Sequence, residues 1–384
     1  MRGLSLALIA AVVAAEDAHD RRRALADALL SAEPVPVAAA MLEDLLAVRA
    51  MAVEGRNEAL ERVAVDAIRR IGVDALNAHL EADPVRAELV YRGLALCGPA
   101  GQRELVAWLG LDWWPRAAVH ALHDCAASVV VPPLLALARE SEPALRAHVL
   151  HALAPHDDPR VAILLAQALD DPDADIRRGA MTATETLLEK RIDKSLRAPL
   201  EKRLDDPELR FFAARALVRI EPGHGPALNV LADHLAPGEG FEGAFLPDIA
   251  KRALLDLGRA AAHALPRVRA LRDHADPAVR VRGALVAWSA TGDPDEALPT
   301  LLSRLTPRAW AEWPGPRDAL DALAAMGAAA RAAVPVLRER LDSTPYLALD
   351  VAHALWRITE DPVPLRNAIL RALATGDAAA LTML

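Results

Sequence analysis

Cysteine, aromatic residues, basic charge and long apolar runs are all scarce in this chain, and each scarcity removes a class of protein. The two cysteines among 384 residues, Cys97 and Cys125, sit inside helical patterns and leave no disulfide framework or cysteine metal site. They suit a reducing compartment, so the cytoplasm is the expected location. Aromatics make up 3% of residues against 53% hydrophobic, so the core must be filled mainly by Leu, Ala and Val, of which Leu and Ala are strong helix formers. The formal charge of −9 argues against a nucleic-acid binder, whose footprint is a basic surface. No run is long and apolar enough to predict a transmembrane span. A glycine-rich phosphate loop, a His-Glu dipeptide and a nucleophile–base signature are also missing, so no cofactor, metal or catalytic residue is expected.

What is present is a repeated helical hairpin, complete between Leu196 and Ile220. Leu196, Leu200 and Leu204 recur at four-residue spacing and predict the inner stripe of a first helix. Asp205-Asp206-Pro207 stops it, because proline lacks an N–H and disfavours helix in the residue before it. Leu209, Phe212, Ala213, Ala216, Leu217 and Ile220 then mark a second stripe. Neither helix can bury its stripe alone.

Two markers carry this unit along the chain. An Ala-Leu-like pair closes each second helix: Ala67-Ile68, Gly93-Leu94, Ala121-Leu122, Ala152-Leu153, Ala183-Thr184, Ala216-Leu217, Ala253-Leu254, Val286-Ala287, Ala322-Leu323 and Ala354-Leu355. In phase with it runs a turn proline followed by arginine, as in Pro143 with Arg146, Asp171-Pro172 with Arg177, Asp206-Pro207 with Arg210 and Asp276-Pro277 with Arg280. About ten units follow, the period of short helical repeat arrays. Leu265-Pro266, Leu298-Pro299, Val334-Pro335 and Val363-Pro364 predict starts of first helices, where proline is tolerated.

The segments LDDPDADIRRGA, LDDPELRFFAARALVRI and ADPAVRVRGALVAW resemble HEAT repeats, and the repeat pattern of the phycobilisome lyases is similar. The resemblance covers roughly residues 40 to 375 and implies an all-α, right-handed α-solenoid of about ten hairpins with terminal capping helices, the second helices lining its concave side. One array over 1–384 is expected: atypical capping helices in 1–50, repeats in 51–362, and a capping helix with a tail in 363–384. The apolar Met1–Ala15 stretch fits either a short secretory signal, which would make the protein exported, or a first helix continuing to Leu30.

Several residue groups invite a chemical reading. The recurring turn Asp and Arg are expected to be structural, Asp capping the second helix and Arg pairing with a carboxylate or carbonyl of a neighbouring repeat. Asp170, Asp171, Asp173 and Asp175 lack the glycine and glutamate of a calcium loop and predict a capping turn. His120 with His123, and His148 with His151, share helical faces, but no zinc pattern accompanies them. The position before the marker Ala gives a surface column of Asp66, Arg92, His120, His151, Thr182, Arg215, Arg252, Leu285, Asp321 and His353. Arg70, Asp124, Thr186, Arg219, Asp256 and Arg357 follow one turn later. If the HEAT geometry holds, this is the concave surface, with a mildly basic centre at Arg178, Arg215, Arg219 and Arg252 that suits an acidic peptide, and His151 is a further candidate contact on it.

Trp113, Trp114, Phe241, Phe245, Trp310, Trp313 and Tyr346 fall at turns on one edge, either sealing seams between repeats or forming a binding ridge. The Pro237–Pro247 insertion makes Phe241 and Phe245 the best ridge candidates, whereas Trp288 and Trp356 are expected to pack inward. The expected function is therefore a non-enzymatic scaffold or adaptor, monomeric, that binds a protein or acidic peptide. The alternative is a HEAT-like enzyme of the alkylpurine DNA glycosylase or bilin lyase type. His-Glu pairs of a HEAT-class di-iron hydroxylase are missing.

Overall fold

The computed structural model describes residues 22–23, 25–26, 42–54, 56–82, 87–109, 115–238, 240–306, 316–343 and 347–374, and every regular element among them is a helix. Met1–Ala15, Trp113, Trp114, Trp310, Trp313, Tyr346 and the tail from Thr375 lie outside the described residues. The chain forms two compact units, Met1–Pro199 and Leu200–Leu384.

In the first unit, first and second helices alternate: α1 (Leu42–Glu54), α2 (Glu58–Ile71), α3 (Val73–Ala82), α4 (Ala87–Leu96), α5 (Gly98–Leu109), α6 (Pro115–Leu122), α7 (Ala127–Glu140), α8 (Pro143–Leu153), α9 (Pro159–Leu169) and α10 (Ala174–Lys190). Each second helix packs on its own first helix or on the next second helix, as α8 does on both α7 and α10. The marker pairs are the reason. Ala67, Ile68, Leu94, Leu122, Ala152, Leu153, Ala183 and Thr184 are all buried, the small residue letting helices close and the larger one filling the seam.

The second unit repeats the plan with shorter, tighter first helices. Helix α11 (Arg197–Lys202) carries the boundary between the units, and α12 (Arg210–Ile220), α13 (Gly225–Asp233), α14 (Gly240–Leu257), α15 (Leu265–Ala270), α16 (Pro277–Thr291), α17 (Leu298–Ser303), α18 (Arg317–Met326), α19 (Val334–Ser343), α20 (Ala348–Thr359) and α21 (Val363–Ala374) follow. Helices α15, α17, α19 and α21 start at the predicted Leu-Pro or Val-Pro pairs. Helix α21 packs on α20, with Ala368 and Ala372 buried and Leu370 exposed.

Four local expectations change. Phe211, not Phe212, is the buried ring of α12, because the helix starts one turn later than the Asp-Pro turn and rotates its face. Phe241 and Phe245 lie on a helix and not at a turn: Gly240 opens α14, which takes in eight of the eleven residues of Pro237–Pro247. Trp288 packs against the core, but Trp356 is exposed. Finally, Arg317–Leu341 is one helical stretch long and apolar enough to cross a membrane. It turns at Gly327, with φ 54°, and its Leu320, Leu323, Met326 and Leu337 lie in the core. Those contacts make it a pair of core helices of a repeat.

The turn Asp and Arg divide their work more finely than expected. Asp173 caps α10, accepting from the N–H groups of Asp175 at 2.8 Å and Ile176 at 3.2 Å, while Asp171 holds the turn by accepting from Asp173 N–H at 2.9 Å. Asp206 likewise accepts from Glu208 N–H within its turn. Arg177 folds back on the carbonyls of Asp171 and Pro172, and Arg280 on those of His274 and Ala275, so both brace their own turn. Pairing between repeats is made by Arg146 with Asp171 at 3.6 Å, Arg191 with Asp157 at 2.6 Å, Arg267 with Asp233 at 2.5 Å and Arg317 with Asp350 at 3.1 Å.

A histidine-lined groove as candidate functional site

Three consecutive second helices, α6, α8 and α10, lie side by side and expose the surface column in the first unit. The close approach of α8 and α10 rests on Gly179: a Cβ there would stand 2.6 Å from the Cβ of Ala147. With no side chain at 179, a groove of about 420 Å³ opens, lined by Val119, His120, Ala147, His148, His151, Gly179 and Thr182.

Three imidazoles line this groove, and a fourth, His123, stacks on one of them. The His123 and His151 rings stack with centroids 5.1 Å apart and planes 17° apart. His120 stands edge-on to both, at 5.7 Å from His123 and 6.3 Å from His151. A carbonyl only accepts, so the ring contacts fix two tautomers: His123 donates Nε2–H to the His151 carbonyl at 3.2 Å, and His148 donates Nδ1–H to the Ala144 carbonyl at 2.8 Å. Burial, then the neighbouring His123, His120 and His148, push the His151 imidazole down to about 4. Burial also lowers His123. The stacked pair His123 and His151 is therefore uncharged at neutral pH. Thr182 spends its hydroxyl proton on the Arg178 carbonyl at 3.2 Å.

Of the residues singled out from sequence, His151 and Arg178 belong to the first unit, and Arg215, Arg219, Arg252, Phe241 and Phe245 to the second. Arg178 is exposed and ion-paired with Asp175 one turn before it. Arg215 lies over the Phe212 ring with its guanidinium carbon 5.8 Å from the centroid. Arg219 and Arg252 are exposed on α12 and α14, and Phe245 is 56% exposed on α14. The Phe241 side chain lies outside the described residues. Leu285 breaks the surface column: it is buried, because α16 turns this position into the core it shares with α18. Further along the second unit, burial and then Asp350 raise the Asp321 carboxyl.

Sequence reasoning paired His148 with His151 on one helical face but placed only His151 on the binding surface, and it passed over Gly179. The signal for Gly179 was present: a glycine inside a helical pattern is destabilising unless something must come close to it.

Both units are built of helical hairpins stacked as an all-α solenoid. Residues 112–185, which contain the whole histidine groove, match the family of HEAT repeats. No curated protein matches the chain.

Proposed function

We propose that the chain is a non-enzymatic scaffold or adaptor that holds a segment of another protein against the exposed faces of its second helices. HEAT repeats are generally scaffolds for protein interaction. The observation that carries the reading is the polar column itself. Asp66, Arg92, His120 and Thr182 are exposed at one helical angle while the residues that follow each of them, Ala67, Gly93, Ala121 and Ala183, are buried. Such a face has no packing role within its own repeat, and it presents donors, acceptors and charge at regular spacing. In the second unit, Arg219, Arg252 and exposed Phe245 supply charge and an apolar anchor of the kind that dominates interfaces.

The test is cross-linking with mass spectrometry in the native host extract, comparing the protein with an Arg215→Glu, Arg252→Glu variant shown to be folded by circular dichroism. A partner cross-linked along α6, α8, α10, α12 or α14, and weakened in the variant, supports the reading. Cross-links confined to first helices would overturn it.

A further inference from the structure

Resting on that reading, we propose that the histidine groove of the first unit is the seat of an acidic side chain of the bound peptide, and that its carboxylate enters together with a proton. The groove lining contains three imidazoles, one hydroxyl, two aliphatic side chains and a glycine, and no carboxylate. An incoming anion therefore meets no fixed like charge in the wall. The floor formed by Ala147 and Gly179 is low enough to admit a side chain.

The proton follows from the hydrogen bonds already made. His148 has committed Nδ1–H to the Ala144 carbonyl, so in its neutral form Nε2 carries a lone pair. His123, stacked on His151, has committed Nε2–H to the His151 carbonyl and keeps its lone pair on Nδ1. Thr182 has spent its proton as well. A carboxylate brought against such lone pairs is repelled until an imidazole takes up a proton and becomes a donor on both nitrogens. Empty, His151 and His123 resist that proton, because both rings are half-buried and they stack with centroids 5.1 Å apart. An anion removes the resistance by supplying the missing countercharge. Among the described residues no three metal-ligating side chains converge on one point, so these lone pairs do not form a cation site as they stand.

The charged and titratable groups around the rings are few. Helix α6 and the turn after it bring His120, His123 and Asp124, and His156 lies near His123. Helix α8 brings His148 and, turned away onto Asp171, Arg146. Helix α10 brings the Arg178–Asp175 pair and, one turn past Thr182, Glu185. Helix α7, packed on α8, contributes buried Val130, Val131, Leu134, Leu135 and Ala138.

The experiment uses the full chain and a labelled peptide of four Gly-Glu repeats, followed by fluorescence anisotropy at pH 7.5 and pH 5.5 at constant ionic strength. Binding is expected to tighten about tenfold or more at the lower pH, because the imidazole that takes up the proton is protonated in the complex and not in the empty groove. The Gly-Gln peptide should not bind. Calorimetry of the unmodified protein in two buffers of different ionisation enthalpy should show net proton uptake, a readout that needs no variant. His148→Gln with His151→Gln should remove the pH dependence, and Arg215→Glu with Arg252→Glu should leave it. Binding without proton uptake, a pH dependence that survives the histidine change, or no binding of the Gly-Glu peptide at either pH would each overturn the proposal. The cross-linking map of the native partner decides the scaffold reading separately.

Discussion

Gly179 and Ala147 touch across α8 and α10, at a separation where a Cβ on residue 179 would lie 2.6 Å from the Ala147 Cβ and 2.9 Å from its Cα. That contact sets the spacing of two second helices and the depth of the groove between them. A glycine inside a helix costs about 0.5–1 kcal/mol relative to alanine, so its use here reflects the need for close approach.

Gly179→Ala should therefore lower stability by about 1–2 kcal/mol, the overpacking cost exceeding the gain in helix propensity. Ala147→Gly in the same chain should restore part of the loss, since the clash is with that side chain. Urea denaturation of the two single variants and the double variant measures the coupling. Additive effects would show that the two residues do not press on each other.

Leu217 is fully buried on α12 in the second unit. Leu217→Ala should destabilise by about 2–5 kcal/mol through lost apolar contact and the cavity left behind. Phe212→Ala, one ring further out and half-exposed, should cost less. The denaturation midpoints of the two variants decide whether the inward face of α12 is correctly placed.

Asp173 accepts from two otherwise unpaired N–H groups at the start of α10. Asp173→Ala should cost about 0.5–2 kcal/mol, and Asp173→Asn much less, because the amide oxygen still caps.

The His151 imidazole titrates at about 4 in the folded protein and near 6.5 when unfolded. Above pH 6.5 it is neutral in both states and has no effect on stability. As pH falls from 6.5 toward 4 the unfolded chain binds the proton first, so stability declines across that window. Asp158, held at about 2 by its hydrogen bond to Arg160, titrates below it. Thermal midpoints between pH 7.5 and 4 should fall in the native protein and fall less in His151→Gln. Equal slopes would show that His151 is not the group responsible.

Periodicity decided most of the architecture. Leu and Ala at helical spacing, turn prolines that end one helix and start the next, and marker pairs at recurring positions leave few ways to bury apolar surface other than stacked hairpins. The Leu-Pro and Val-Pro starts of α15, α17, α19 and α21 and the buried marker pairs were legible for that reason: each depends on backbone chemistry or on a pattern within one repeat. The solvent face was legible for the same reason, apart from Leu285. Tertiary structure alone decided what lies between repeats. Which aromatic of Phe211 and Phe212 turns inward depends on where α12 begins. Whether Arg177 braces its own turn or a neighbour depends on loop geometry. That His120 and His123 meet His148 and His151 depends on how α6 packs on α8, and the groove beside them depends on how closely α8 packs on α10, a distance set by the missing side chain of Gly179. Local propensity carries no information about such distances, because they arise only when two helices far apart in sequence are pressed together.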